Sequence, residues 1–149
     1  MNFAESPLGI DLRNSPDIER ERRFRLRLND ETVLAGAVDA VSGNTIIDYK
    51  ITDSDSVPPG LYESQLDFYA YVIHEQSECE SVNACIAFLK ENKTAERIIS
   101  DFESIRSRIE TASRKCASDS ESDYGSKTEH CGLCPFKKGC VKFAGTIHE

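Results

Sequence analysis

Two carboxylates and a lysine fall close together in the stretch GAVDAVSGNTIIDYKIT: Asp39, Asp48 and Lys50. Residues two apart in a strand share a face, so Asp48 and Lys50 project together. If Gly43-Asn44 form a two-residue hairpin turn, Ser42 pairs with Thr45 and Asp39 with Asp48. Opposed residues carry Cβ atoms about 4.5–5.5 Å apart, a separation at which two carboxylates repel unless a cation bridges them. Mg²⁺ or Mn²⁺ is the expected cation, held by one or two carboxylates plus water and substrate phosphate. Such an ion polarises a phosphoryl oxygen and orients an attacking water, and a lysine beside it can stabilise charge developing on phosphate. Glu21 is a further candidate ligand. A surface hairpin with solvated acidic and basic residues accounts equally for the pattern alone, and a one-residue slip would put Asp39 on the wrong face.

The elements around these residues read as a mixed α/β (α+β) fold. In Arg22–Leu28, Phe24, Leu26 and Leu28 alternate with Arg23, Arg25 and Arg27, the mark of a half-buried strand. Thr32–Val41, weakened by Gly36, and Thr45–Thr52 complete an antiparallel three-stranded meander. A loop with Pro58-Pro59-Gly60 precedes a helix over about Leu61–Gln76, with Tyr62, Leu66, Tyr69, Ala70 and Ile73 at helical spacing. Asn83–Lys90 reads as a fourth strand and Thr94–Ile99 as a fifth. Ser100 and Glu103 form a capping-box signature opening a helix with Phe102, Ile105, Ile109 and Ala112 on its core face.

The expected organisation is one domain over 1–149. It comprises a loose lead-in (1–17), a core (18–112), a polar flexible connection (113–130) and a cysteine-bearing tail (131–142). With 149 residues and a net charge of -8, bulk electrostatics do not favour a protein that grips nucleic acid by charge alone. No apolar run is long enough for a membrane span, and the start lacks a secretory signal, so the expectation is cytoplasmic with no membrane partner. There is no G-x-x-x-x-G-K-[ST] loop for an ATPase.

The blocks together resemble the PD-(D/E)XK nuclease superfamily, in particular its RecB-like branch. GAVDAVSGNTIIDYKIT is similar to that branch's G-x-x-D…D-Y-K-T block, Glu21–Phe24 to its upstream E-x-x-F element, and YESQLDFYAYVI to its Q-L-x-x-Y helix. The resemblance implies a restriction-endonuclease-like sheet flanked by helices. It implies catalytic roles for Asp39, Asp48 and Lys50, with Gln65 and Tyr69 near them. Metal contacts would come from Asp39, Asp48, the Tyr49 carbonyl and Glu21. The implied activity is a metal-dependent deoxyribonuclease, an exonuclease on single strands or ends in repair or recombination, working with a helicase or in CRISPR adaptation. CGLCPFKKGC resembles the C-x2-C-x5-C tail of AddB-type and CRISPR-associated nucleases, where three cysteines and a fourth hold a [4Fe–4S] cluster. Here these are Cys131, Cys134 and Cys140. The family's fourth lies upstream of the first acidic motif, where this sequence has none; either that upstream portion is missing from this chain, or Cys116, Cys79 or Cys85 substitutes, or the tail binds zinc, or it is empty. Arg23, Arg25 and Arg27 are candidate phosphate contacts, as are Lys137, Lys138 and Lys142. The alternatives are a non-catalytic DNA-binding or scaffold module of this fold, or a zinc-stabilised interaction domain.

Overall fold

The computed structural model describes residues 5, 7–56, 60 and 62–118. By compactness the chain divides into 1–111 and 112–149, and the contacts below belong to the first unit. Five strands form one sheet in sequential order: β1 (Glu19–Arg27), β2 (Val33–Ser42), β3 (Thr45–Lys50), β4 (Val82–Phe88) and β5 (Lys93–Ile99). The first three make the antiparallel meander. β3 and β4 are parallel, joined through α2 (Glu63–Ser77), and β5 returns antiparallel on β4. The result is a mixed sheet with flanking helices, consistent with a restriction-endonuclease-like architecture.

The larger core lies on one face of the sheet, where Phe24, Val38, Val41, Ile46, Ile86 and Phe88 meet Leu66, Ala70 and Ile73 of α2. A smaller cluster on the other face holds Ala40, Ile47, Cys85 and Ala87, with Ile18, Tyr49 and Leu89 against it. Gly36 weakens β2 in the sequence but serves this packing. It lies opposite Phe24, and a Cβ there would come within 2.8 Å of Phe24 Cζ. The ring that takes that space reaches Phe68 and Tyr69 of α2, with centroids 5.7 and 6.2 Å away. The β2–β3 turn closes Ser42 on Thr45, and Gly43 supplies the positive φ (+57°) that a tight hairpin turn of the II′ kind needs at its first central residue.

Three local features differ from the sequence reading. Pro7–Asn14, expected as loose lead-in, is a helix (α1); proline suits its first position because its φ is preset and its missing N–H would be unpaired there anyway. Helix α3 (Phe102–Ala117) is capped one residue later than the Ser100/Glu103 signature suggests, by Asp101, whose Oδ1 accepts the Ser104 N–H at 3.2 Å. That helix also takes in residues 113–117 of the polar stretch read as a flexible connection.

The segment after β3 is tied to the β4–β5 turn. Glu91 Oε2 accepts the Ser54 N–H at 2.6 Å, and Lys93 Nζ reaches Glu91 Oε1 at 3.0 Å. These donors, the Ser54 backbone first, hold the Glu91 carboxyl down at about 2. A carboxyl depressed by folding stabilises the fold above its ordinary value near 4.5, and that contribution disappears as pH falls toward 2. Glu91→Gln should therefore flatten this part of the acid limb, which acid titration followed by circular dichroism measures. An unchanged acid limb would show that the tie contributes nothing.

Candidate active site

The hairpin register runs up to, and stops short of, the two carboxylates. The β2–β3 ladder ends at Ala40 opposite Ile47, which makes Asp39 and Asp48 the next facing positions. They do not continue the ladder. Asp39 Oδ2 instead accepts the Tyr49 backbone N–H at 2.9 Å, so this side chain occupies the place where a main-chain carbonyl would pair.

Simple alternation breaks here. Val38 belongs to the larger core, Ala40 to the smaller one, and Val41 to the larger again. Arg22 pairs with Val38 and Arg20 with Ala40, and between them Glu21 takes a left-handed φ of +49°. The sheet thus exchanges its faces at the Glu21/Asp39 level. A non-glycine residue at such a φ is uncommon, and its cost has to be met by the surrounding ladder.

Asp48 is 3% exposed, and Lys50 Nζ lies 2.6 Å from its Oδ2. No hydrogen bond from the other described residues reaches that oxygen. Burial pushes the Asp48 carboxyl above its ordinary value; the hydrogen bond and charge of Lys50 pull it back, and the charge of Asp39 adds to the rise. Lys50 Nζ also donates to Gln65 Oε1 at 3.0 Å and lies 4.5 Å from the centroid of the Tyr62 ring, a cation–π contact. Gln65 Nε2 in turn donates to Tyr69 Oη at 3.1 Å, a contact that one turn of α2 makes natural. Asp48, Lys50, Gln65 and Tyr69 therefore form one connected chain, and Asp39, held by the Tyr49 N–H, acts on Asp48 through its charge.

Other residues singled out in the sequence fall elsewhere. Glu21 is exposed, at the strand position facing Asp39. Arg23, Arg25 and Arg27 are exposed on the face of β1 opposite Phe24 and Leu26, away from the core that α2 covers, so the structure does not join them to this chain of contacts. Cys85 is buried, its thiol pushed up to about 11 by burial, and Cys79 is half-buried. Cys116 is exposed in α3, and Cys131, Cys134, Cys140, Lys137, Lys138 and Lys142 lie outside the described residues. His74 has partners that its sequence context does not reveal: Nδ1 contacts the Cys79 carbonyl at 2.7 Å, and its ring stacks on Phe102 at 3.9 Å.

Sequence reasoning passed over two residues. Tyr62 reads there as core or helix surface, yet it faces Lys50. Asp67 is buried on α2 between Arg97 of β5 (2.9 Å) and Arg108 of α3 (2.6 Å). The signal for Asp67 is its place in the otherwise apolar run LDFYAYVI, where a carboxylate needs a partner.

The donor set suits a hard divalent ion in part. Asp39 and the buried Asp48 stand just past the end of the β2–β3 ladder, and a cation held there would share the Asp48 carboxylate with the Lys50 ammonium already 2.6 Å from its Oδ2. No group of three acidic, histidine or cysteine residues converges among the described residues. Two carboxylates with the remaining positions left to water and phosphate match Mg²⁺ better than ions that demand a full protein cage.

A family model described as the PD-(D/E)XK nuclease superfamily matches residues 6–141. No curated protein matches the sequence. Among solved structures, the crystal structure of SSO0001 is similar at 21% identity with a TM-score of 0.55. That match covers 90% of this chain and 66% of the other, and the likeness is one of fold.

Proposed function

Because this chain belongs to the PD-(D/E)XK nuclease superfamily, whose members are generally nucleases, we propose that it hydrolyses phosphodiester bonds in DNA with the help of Mg²⁺ or Mn²⁺. The observation that carries this reading is the buried Asp48–Lys50 ion pair, tied to Gln65 and Tyr69 beside Asp39. Asp39 and Asp48 would hold the ion, with the Tyr49 carbonyl and Glu21 as further oxygen donors. When bound, the ion supplies Lewis-acid stabilisation of charge on the phosphoryl oxygens.

The residues themselves do the positioning. Asp48 and Gln65 hold the Lys50 ammonium from two sides, and the Tyr62 ring bounds it on a third. A cation fixed in this way needs no reorganisation when negative charge grows on the phosphate or on an attacking water. Tyr69 fixes the Gln65 amide so that its oxygen, not its nitrogen, faces Lys50.

The finer reading is a RecB-like nuclease that acts on single strands or ends as an exonuclease in repair or recombination, in the cytoplasm and alongside a helicase. The tail cysteines would hold a [4Fe–4S] cluster or zinc, with Cys116 the candidate fourth ligand. Among the described residues no helix is long and apolar enough to cross a membrane.

The test is cleavage of a labelled oligonucleotide with and without Mg²⁺, wild type against Asp39→Ala. The expected result is Mg²⁺-dependent cutting that falls about 100-fold or more in the variant. Equal cutting by both would end the assignment of Asp39, and no cutting by either, with or without Mg²⁺, would leave a binding module of the same fold.

A further inference from the structure

A cavity of about 240 Å³ opens beside the site, lined by Tyr62 and Leu66 of the α2 region, Ile86 and Phe88 of β4, and Ala95 and Arg97 of β5. We propose that it receives an unpaired nucleobase of the substrate strand, next to the phosphate that is cut. This rests on the nuclease reading above and adds to it the form in which the strand is held.

The argument starts from register. Asp48 pairs with Ile86 and Lys50 with Phe88 across the parallel ladder, and Ile86 pairs with Ala95 across the next. Paired residues project to the same face, so the cavity floor continues the face that carries Asp48 and Lys50, one strand over. Tyr62 belongs to both places: it lines the cavity and its ring carries Lys50 Nζ 4.5 Å from its centroid. A group in the cavity therefore lies within one side chain of the lysine.

The chemistry of the lining chooses the occupant. Its walls are apolar and aromatic, which suits a flat heterocycle. One carboxylate residue, Glu63, lines the cavity from the start of α2, and Arg97 is already paired with Asp67 at 2.9 Å; Glu96 pairs with Cys85 and projects to the other face of the sheet. That balance repels a phosphate and accepts hydrogen bonds from base N–H groups. A base within a duplex is stacked and paired and cannot enter, so the strand must be single or locally opened there. Stacking of a base on protein aromatic groups contributes about 1–3 kcal/mol, which is a factor of roughly 5 to 150 in binding.

The experiment uses the full chain with Ca²⁺ in place of Mg²⁺, and fluorescence anisotropy of a short single-stranded oligonucleotide. One abasic position is moved along the strand. The expected result is a loss of about tenfold in affinity at one position, adjacent to the bond that is cut in Mg²⁺, and little effect elsewhere. Ala95→Phe, which fills the cavity from an exposed strand position, should weaken the intact strand by the same factor. It should leave the strand abasic at that position unchanged. A flat abasic scan with normal cleavage overturns the cavity assignment and leaves the nuclease reading standing. A wild-type protein that neither binds nor cuts the strand overturns both. The scan needs no variant, so an Ala95→Phe protein that fails to fold does not protect the proposal.

Discussion

Asp48→Asn should lower DNA cleavage by about 100- to 1,000-fold and leave the protein no less stable at pH 7. The loss of activity follows because the amide removes one of the two facing carboxylates and the anion that fixes Lys50 at 2.6 Å. The stability outcome follows from the direction of the shift. Burial raises the Asp48 carboxyl above its ordinary value even with Lys50 beside it. A group whose folded value is raised favours the fold while it is protonated, below the ordinary carboxyl value. That advantage disappears as pH rises through the raised value, and at neutral pH the ionised form is held against the fold. An uncharged amide of the same shape removes the penalty. Melting curves at pH 7 with cleavage rates on the same samples check both halves. A variant that loses activity only because it unfolds would show that Asp48 is a structural residue.

The second large effect concerns stability. Replacing Arg97 and Arg108 together by methionine should cost about 3 kcal/mol, roughly 10 °C in melting temperature. Asp67 is 8% exposed and lies between these two guanidinium groups, which are themselves 40% and 55% exposed. The arginines can return to water at little cost; the carboxylate cannot. Losing one arginine leaves the other, so either single replacement should cost about 1 kcal/mol, and Asp67→Asn less than the double change. Urea denaturation of the three arginine variants and Asp67→Asn measures this asymmetry. Additive, equally small effects would mean that the pair is solvated in solution. The same clamp joins α2 to β5 and α3, and α2 carries Gln65 and Tyr69, so loosening it should also lower activity.

Much of this arrangement is legible in the residues. Gly43-Asn44 sets the hairpin, and its register runs from Ser42 on Thr45 to Ala40 on Ile47, one step short of Asp39 and Asp48. The four-residue spacing of Gln65 and Tyr69 puts both on one helical face, where they meet Lys50. The parallel pairing of β3 with β4 is not legible, because periodicity reports which face a strand buries and not which neighbour it joins. The exchange of faces at Glu21 and Asp39 is hidden for a different reason: nothing in the side chain of a glutamate announces a left-handed backbone. Helix α1 was obscured by a polar sequence in which only Pro7 marked a start. Tyr62 shows the limit of reading by type, since an aromatic at helical spacing predicts a core position whether or not a cation sits on its ring.

The single parallel seam also bears on the order in which the chain assembles. The meander and the β4–β5 hairpin each close across short turns, whereas joining β3 to β4 requires the whole crossover with α2 to be drawn in first. Loop-closure entropy falls most heavily on that step, which places it late. Asp48 and Lys50 stand on one side of the seam and Gln65 and Tyr69 within the crossover. A nascent or half-folded chain therefore carries these four residues apart, and the proposed site is assembled only with the last strands to meet.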